Sequence, residues 1–385
     1  MQGLAWSVIT ARMTTSNRFR TFVILTKKQT QLIRLLASGE WCSGPHLAEL
    51  LGCSRGAISQ ILSRLADVFQ EGWTLERDAK RGYRLILCAG LLDAELISNQ
   101  IDEQCASFKD DFCVSVETHL SCESTNKRAA ALLRNMAEGH TGRYSFVFAD
   151  HQTSGKGRRG RHWLSTLGGS LLFSVAFQID TAQTSLEGLS LVVGLAVAEA
   201  LESFGAKGIL LKWPNDLIVV VDNNKYKKLG GVLIELSGAL DGQLSVIVGV
   251  GVNLISSRVH TPSDTIYPVD SVGLQELIPS SATLDINMLA STVGSHLINT
   301  LSKYSKSEFS SFIPAWKSKA AFLNEQIRLY TAGIEMNQYV EGRMIGIDST
   351  GRLLLKSAQG ELKAYSGGEL GSSASEAAHS LRPAQ

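Results

Sequence analysis

Four apolar runs follow one another at turn-length spacing: ILLKW (209–213), DLIVVV (216–221), LGGVLIEL (229–236) and LSVIVGVGVNL (244–254). Strands joined by short turns pair antiparallel, because a parallel crossover needs a dozen or more residues. This stretch therefore demands a sheet, and the flanking segments have to cover it. LEGLSLVVGLAVAEALESF (186–204) reads as a long buried helix, and SLLFSVAFQI (170–179) alternates like a half-buried strand. YSFVFAD (144–150) reads as a strand, and STNKRAAALLRNMAE (124–138) and residues 284–323 as helices. Such a mixture makes an α+β body. Residues 327–370 read as short strands broken by Gly turns, a small barrel.

A chemically different head precedes this body. Residues 1–87 carry 12 Lys and Arg against 6 Asp and Glu, a net of +6, while the remainder carries 25 against 30, a net of −5. The whole-chain charge of +1 hides this split, which points the head and not the body toward a polyanion. KKQTQLIRLLASGE predicts a helix with Leu32, Ile33, Leu35 and Leu36 on one face and Gly39 at its end. PHLAELL (45–51) starts a second helix with Pro in its first turn, GCS (52–54) is a turn, and RGAISQILSRLADV (55–68) is a third helix capped by Ser54. WTLERDAKRGYRLIL (73–87) predicts a hairpin turning near Asp78–Gly82.

The expected division is an extension over 1–26, a head over 27–87, a linker with one helix over 88–121, a body over 122–325, a barrel over 326–370 and a disordered tail over 371–385. The extension reads as disordered or mis-started (Met1 or Met13 could begin the chain), and a transit peptide is the weaker reading. Six cysteines, none beyond Cys122 and none in C-x-x-C spacing, indicate neither a disulfide framework nor a zinc site. That fits a reducing compartment, and a cytoplasmic location is expected. The most apolar stretch has 11 uncharged residues between Glu187 and Glu199, against about 20 for a membrane span, so no membrane partner is expected.

Chemistry concentrates in a few loops and strand ends. DHQTSGKGRRGRHW (150–163) interleaves Lys156, Arg158, Arg159 and Arg161 with Gly155, Gly157 and Gly160. Glycines let backbone amides approach an anion, and Arg offers a planar fork for phosphate or carboxylate oxygens. GxxxxGK[ST] is absent, so a P-loop is disfavoured. In LLKWPNDLIVV (210–220) the apolar run breaks at Trp213-Pro214, leaving Lys212, Asn215 and Asp216 at the break. They suit a phosphate and Mg²⁺, or alternatively a Lys–Asp pair closing a hairpin. Lys228 precedes a Gly pair, and Gly249 and Gly251 share one side of a strand ending at Asn253, so another group must approach that strand closely. ESTN (123–126) caps a helix whose N-terminus could also bind a ligand. No Ser/His/Asp order or His pair stands out. Cations and glycine-lined strands suit a reaction run by positioning and charge stabilisation.

In their order, SGPHLAELLGCSRGAI, ESTN, DHQTSGKGRRGRHW, LLKWPNDL, KLGGVLIE and GVGVN resemble the bifunctional biotin–protein ligase/biotin-operon repressor family, over residues 27–370. The resemblance implies an N-terminal winged helix-turn-helix, a central mixed or antiparallel-sheet ligase domain of the class II synthetase-like biotin/lipoyl type, and a C-terminal Src-homology-3-like barrel. It implies biotin and ATP as substrates with Mg²⁺, biotinyl-5′-AMP as intermediate, and a lysine on the biotin carboxyl carrier domain of acetyl-CoA carboxylase as acceptor. By position, Ser124, Thr125, Asn126, Gln152, Lys156, Gly157, Arg158 and Lys228 would bind biotin. Arg158, Arg161, Trp163, Lys212, Asn215 and Asn253 would bind ATP or the adenylate. Arg158, Lys212 and Lys228 would act in catalysis, and Asp216 would hold Mg²⁺. The head would bind operator DNA as part of a homodimer through Ser54, Arg55, Ser59, Gln60 and Arg64, with Lys80 and Arg81 of the wing on phosphate. Lys156 stands where the family pattern usually has Arg, losing a bidentate contact, and DNNKYK (222–227) is longer than usual. The rival readings are a lipoate- or octanoate-type protein ligase and a biotin-sensing transcription factor without ligase activity.

Overall fold

The computed structural model describes residues 25–68, 72–106, 113–134, 143–180, 186–221, 225–240, 243–256, 270–281, 283–306, 308–331 and 339–372. Of the expected extension, residues 1–24 lie outside these; so do residues 373–385 of the tail and 222–224 of the DNNKYK segment.

The head consists of helices α1 (Lys27–Leu36), α2 (Gly44–Leu50) and α3 (Arg55–Val68), then a hairpin of β1 (Trp73–Asp78) and β2 (Gly82–Leu87). Each helix starts for a chemical reason. Thr26 and Gln29 cap α1 reciprocally, Ser43 caps α2 with Pro at its start, and the Ser54 hydroxyl accepts from the Ala57 amide at 3.2 Å. The turn into α3 passes through Gly52 at φ +56°, and the Cys53 amide donates to the Ala48 carbonyl. Leu32, Ile33, Leu36, Leu47, Ile58, Leu62 and Leu65 pack together with Leu85 of the hairpin. Two residues from beyond the head, Leu120 and Leu167, complete this core.

The body is built from α4 (Ala94–Gln104), β3 (Cys113–His119), α5 (Thr125–Arg134), β4 (Arg143–Ala149), β5 (Ser170–Asp180), α6 (Leu189–Ser203), β6 (Ile209–Lys212), β7 (Asp216–Val221), β8 (Lys225–Leu240), β9 (Gln243–Asn253), α7 (Ile286–Lys306) and α8 (Ile313–Lys319). Its seven-stranded sheet has the order β3-β4-β5-β9-β8-β7-β6. β3 runs parallel to β4, and the other neighbours are antiparallel. Alternation sorts the two faces. Phe146, Phe148, Phe173 and Val175 pack in the main core with α4, α6 and α7, while Val147, Ala176 and Ile247 face Ala129 and Leu133 of α5.

The segment expected as a linker is part of this body. α4 buries Ile97 and Ile101 in the main core, and β3 is an edge strand of the sheet. CVSVETH reads poorly as a strand because an edge strand buries little and can keep polar side chains.

The C-terminal unit is a five-stranded antiparallel sheet of β10 (Gln326–Tyr330), β11 (Val340–Ile347), β12 (Leu353–Lys356), β13 (Leu362–Tyr365) and β14 (Glu369–Ser372), in the order β13-β12-β11-β10-β14. Among the described residues its outer strands do not pair with each other. Ile327, Leu329, Met344, Leu353 and Leu370 merge with the main core. Among the described residues, no helix is long and apolar enough to cross a membrane.

Candidate active site

The sheet register lays out the site. Leu172 of β5, Gly251 of β9, Gly231 of β8, Asp216 of β7 and Lys212 of β6 are successive partners across five strands. Directly paired residues share a face, so this row is one rung on one side of the sheet. The next rung holds Ser174 opposite Gly249. The glycines are explained by what lies on them. A Cβ at Gly251 would meet the Trp163 ring at 2.7 Å, and one at Gly249 would strike the Asn126 amide. The close approach expected of this strand is thus made by two groups from separate segments.

The cationic end of the rung is a hairpin. β6 and β7 are joined by Trp213–Asn215, with Lys212 directly opposite Asp216 and a cis Trp213-Pro214 peptide between them. The Pro therefore occupies a turn, which needs no ladder hydrogen bond from it. A bulge at Leu217/Ile218 lets Gly231 pair with Asp216, and the Lys228 ammonium donates to Asp216 Oδ1 at 2.7 Å. A Cβ on Gly231 would lie 3.4 Å from that oxygen and from the Lys228 Nζ. Lys228 Nζ also lies 5.6 Å from the centre of the Trp163 ring. Lys212 is only 4% exposed, with its Nζ 5.2 Å above the Tyr226 ring.

A buried ammonium is costly unless compensated. Burial alone would lower the Lys212 pKa, but Tyr226, Asp216 and Glu369 outweigh it and hold it above the ordinary lysine value. Burial would likewise raise the Asp216 carboxyl, but Lys228 and Lys212 prevail and keep it below the usual range. Both groups are therefore charged at neutral pH. One carboxylate is shared by two lysines, which leaves a cationic excess aimed at the glycine rung.

The basic loop is an ordered hairpin. The Gly157 amide donates to the Arg161 carbonyl and the Trp163 amide to the Gly155 carbonyl, with a tight turn at Arg158–Gly160 where Arg159 has φ +56° and Gly160 φ +73°. Arg158 Nη1 donates to Asn215 Oδ1 at 3.2 Å, and Asn215 Nδ2 donates to the Val232 carbonyl at 2.8 Å. Arg158 thereby joins Lys212, Asp216 and Lys228. Arg161 instead forms a bidentate pair with Glu369 of β14, at 2.9 and 2.7 Å, which ties the loop to the C-terminal sheet. Lys156 is exposed, across the hairpin from His162. The Trp163 Nε1 is buried and makes no hydrogen bond among the described residues. Such a donor suits a ligand acceptor.

At the other end, Ser124, Thr125 and Asn126 are buried at the start of α5. The Thr125 amide and hydroxyl both donate to Gln152 Oε1, at 2.8 and 3.2 Å. The Ser174 hydroxyl donates to Asn126 Oδ1 at 2.5 Å and lies 2.7 Å from the Thr125 hydroxyl, and Asn126 Nδ2 donates to Glu235 at 2.7 Å. This polar socket adjoins the glycine rungs. Asn253 is buried at the end of β9 and donates to the Lys228 carbonyl at 3.1 Å.

Sequence reasoning passed over Ser174, Glu235, Tyr226 and Glu369. Ser174 had a detectable signal, a hydroxyl in the middle of the apolar SLLFSVAF strand on the same side as Leu172 and Ala176. Glu369 lies 208 residues from its partner Arg161, and nothing local marks it. Among the described residues no group of three or more His, Cys, Asp or Glu could hold a metal, and the Asp216 oxygen is taken by Lys228. The residues present do not fit a metal held by protein alone.

In the head, Arg55 is exposed in the first turn of α3, Gln60 and Arg64 are exposed on the side away from buried Ile58, Leu62 and Leu65, and Ser59 is half-buried. Ser54 is exposed but its hydroxyl serves as the cap. Lys80 and Arg81 are exposed at the hairpin tip, where their amides both donate to Asp78.

Both the sequence and the fold match known proteins. Residues 121–253 match the Biotin/lipoate A/B protein ligase family, and residues 322–370 match the Biotin protein ligase C terminal domain. The bifunctional ligase/repressor BirA of Salmonella typhimurium is 33% identical over 339 residues, covering 88% of this chain and 95% of that protein. Its counterpart from Escherichia coli is 32% identical over 340 residues, with the same coverage. The biotin protein ligase from Aquifex aeolicus, solved in complex with biotin and ATP, superposes with a TM-score of 0.51 at 28% identity, over 67% of this chain and 97% of that one. With its cationic hairpin, glycine rungs and basic loop joined in one site, and with relatives matched over nearly their whole length, the chain belongs to the bifunctional ligase/repressor BirA family of biotin protein ligases.

Proposed function

We propose that this protein activates biotin with ATP and transfers it to a lysine of the biotin carboxyl carrier domain of acetyl-CoA carboxylase, and that it represses biotin genes through its head. The convergence of Arg158, Lys212 and Lys228 beside the glycine rungs carries the reading. Two anions, a carboxylate and a triphosphate, repel each other, and a preorganised cationic cluster offsets that repulsion without reorganising. In the first step the biotin carboxylate attacks the α-phosphate, giving biotinyl-5′-AMP and releasing pyrophosphate. In the second, the acceptor amine attacks the mixed anhydride and AMP leaves.

Ser124, Thr125, Asn126 and Gln152 form the polar socket for the uncharged end of biotin, with Gly157 and Arg158 closing over the adenylate. Lys228 meets the carboxylate or α-phosphate, and Lys212 and Asn215 serve the phosphates. Trp163 and Asn253 take the adenine. Arg161 acts through Glu369 as the loop's fastening, and Lys156 contributes from the loop's exposed side. Mg²⁺ arrives with the nucleotide, and Asp216 orients the two lysines.

The head reads as a winged helix-turn-helix, with α3 for the major groove and the β1–β2 hairpin as wing. The C-terminal sheet reads as a small Src-homology-3-like barrel, and the active form as a cytoplasmic homodimer. Incubation with biotin, MgATP and a carrier domain, followed by intact mass measurement, should show one added biotinyl group on the carrier. An unmodified carrier, or modification with lipoate in place of biotin, would refute the ligase assignment.

A further inference from the structure

Trp41 lies between α1 and α2, and its neighbour is stitched to the hairpin. The Cys42 amide donates to the Tyr83 carbonyl at 2.8 Å, and the Tyr83 amide to the Cys42 carbonyl at 2.9 Å. Gly82, at φ +100°, permits this approach, because a Cβ there would strike the Cys42 backbone. The anchored ring carries two guanidinium groups, Arg81 Cζ at 4.1 Å and Arg84 Cζ at 5.0 Å from its centre.

The two arginines are not equivalent. Arg84 donates through Nε and Nη2 to Glu76, its direct cross-strand partner, at 2.9 and 2.5 Å, so its charge is answered within the hairpin. The Arg81 side chain is 60% exposed, and among the described residues its ion pair is the 3.5 Å contact with Asp78. The other Asp78 oxygen is engaged by the amides of Lys80 and Arg81. Stacking covers a face of a guanidinium and leaves its in-plane N–H groups pointing outward. Holding a long side chain in place beforehand also lowers the entropy lost when it makes a contact.

We infer that Trp41 is a positioning residue that holds the Arg81 guanidinium edge-outward as a preformed contact for a DNA backbone phosphate at the hairpin tip. The fork matches phosphate oxygens, and the adjoining Lys80 adds charge without competing for the ring. This rests on the reading of the head as a DNA-binding unit.

The test titrates the full chain with a short mixed-sequence duplex across a salt series, since a phosphate contact needs no particular sequence. Arg81→Ala should weaken binding and reduce the slope of log affinity against log salt by about 1. Trp41→Leu should weaken binding by about three- to tenfold, and Trp41→Phe should restore most of it. In the Arg81→Ala background, Trp41→Leu should cost nothing further. If Trp41→Leu costs the same in both backgrounds, or Phe does not rescue, the ring merely packs and the inference is overturned. A wild-type chain that binds no duplex at the lowest salt would overturn the DNA reading itself. That outcome differs from a wild type that binds and is indifferent to Trp41.

Discussion

The head and the body use cations in opposite ways. In the body, Lys212 is buried and shares Asp216 with Lys228, so its charge is maintained by neighbours at a fixed place on the sheet. In the head, Arg55, Arg64, Lys80 and Arg81 stand exposed around a small apolar core. Buried charges act strongly on a small anion because water is excluded. Exposed ones act additively, and salt screens them, on a long polyanion. The two regions are nonetheless not independent. Leu120 lies four residues before Ser124, Leu167 lies four after Trp163, and both are buried in the head's core. The segments that flank the polar socket and the basic loop are thereby plugged into the head.

The sharpest way to break the contrast is Lys228→Ala. It should slow adenylation about a thousandfold, since it removes a preorganised cation and leaves Asp216 with Lys212 alone. Pyrophosphate exchange measures it, and binding of the head to duplex should survive. Near-normal exchange would mean that the cluster does not carry the chemistry. Leu167→Ala should lower the free energy of unfolding by about 3 kcal/mol, because it empties a fully buried site, and it should impair DNA binding and ligation together. Urea denaturation alongside both assays checks this, and ligation untouched by the change would show the head to be separable. Arg55→Ala should cost about 1–3 kcal/mol at a single operator position while ligation continues, as competition with base-substituted duplexes would show.

The smallest effect concerns pH. Burial pushes the Asp150 carboxyl up to about 8 and pulls His151 beside it down to about 4. A raised carboxyl pKa favours the folded state while the group is protonated, and that advantage is lost as pH rises toward 8. The lowered His151 pKa works the other way, with stability gained between pH 4 and its ordinary value of 6.5. The two slopes oppose each other below 6.5, and Asp150 acts alone between there and 8. Wild type should lose about 1–2 kcal/mol over that window, and Asp150→Asn, which keeps an acceptor for the Leu92 amide, should lose little. Urea midpoints at the two pH values decide it.

Much of this architecture was legible because it is local. The α3 range, the hairpin turn at Asp78–Gly82, the four consecutive strands and the glycines of β9 all rest on patterns within a few residues. The opening between Lys212 and Asp216 illustrates the limit. The residues leave a ligand site and a hairpin-closing pair as alternatives; the register sets Lys212 opposite Asp216, but the carboxylate's ion pair is with a second lysine, Lys228, brought in across a bulge. β3 was missed because an edge strand need not be apolar; the helix α4 was expected but assigned to a linker, because a connector and a packed helix look alike until the partner α7 is known.

The order of motifs, the charge split between head and body, and the placement of turns were determined by the chain itself, since periodicity, capping and glycine conformations act over one or two turns of backbone. Which side chains complete each other was decided only in three dimensions. Glu369 fastens Arg161 from the far end of the chain, Ser174 supports Asn126, and Leu167 fills the head. Packing and charge compensation select partners by distance in space, and separation along the sequence carries no record of that distance.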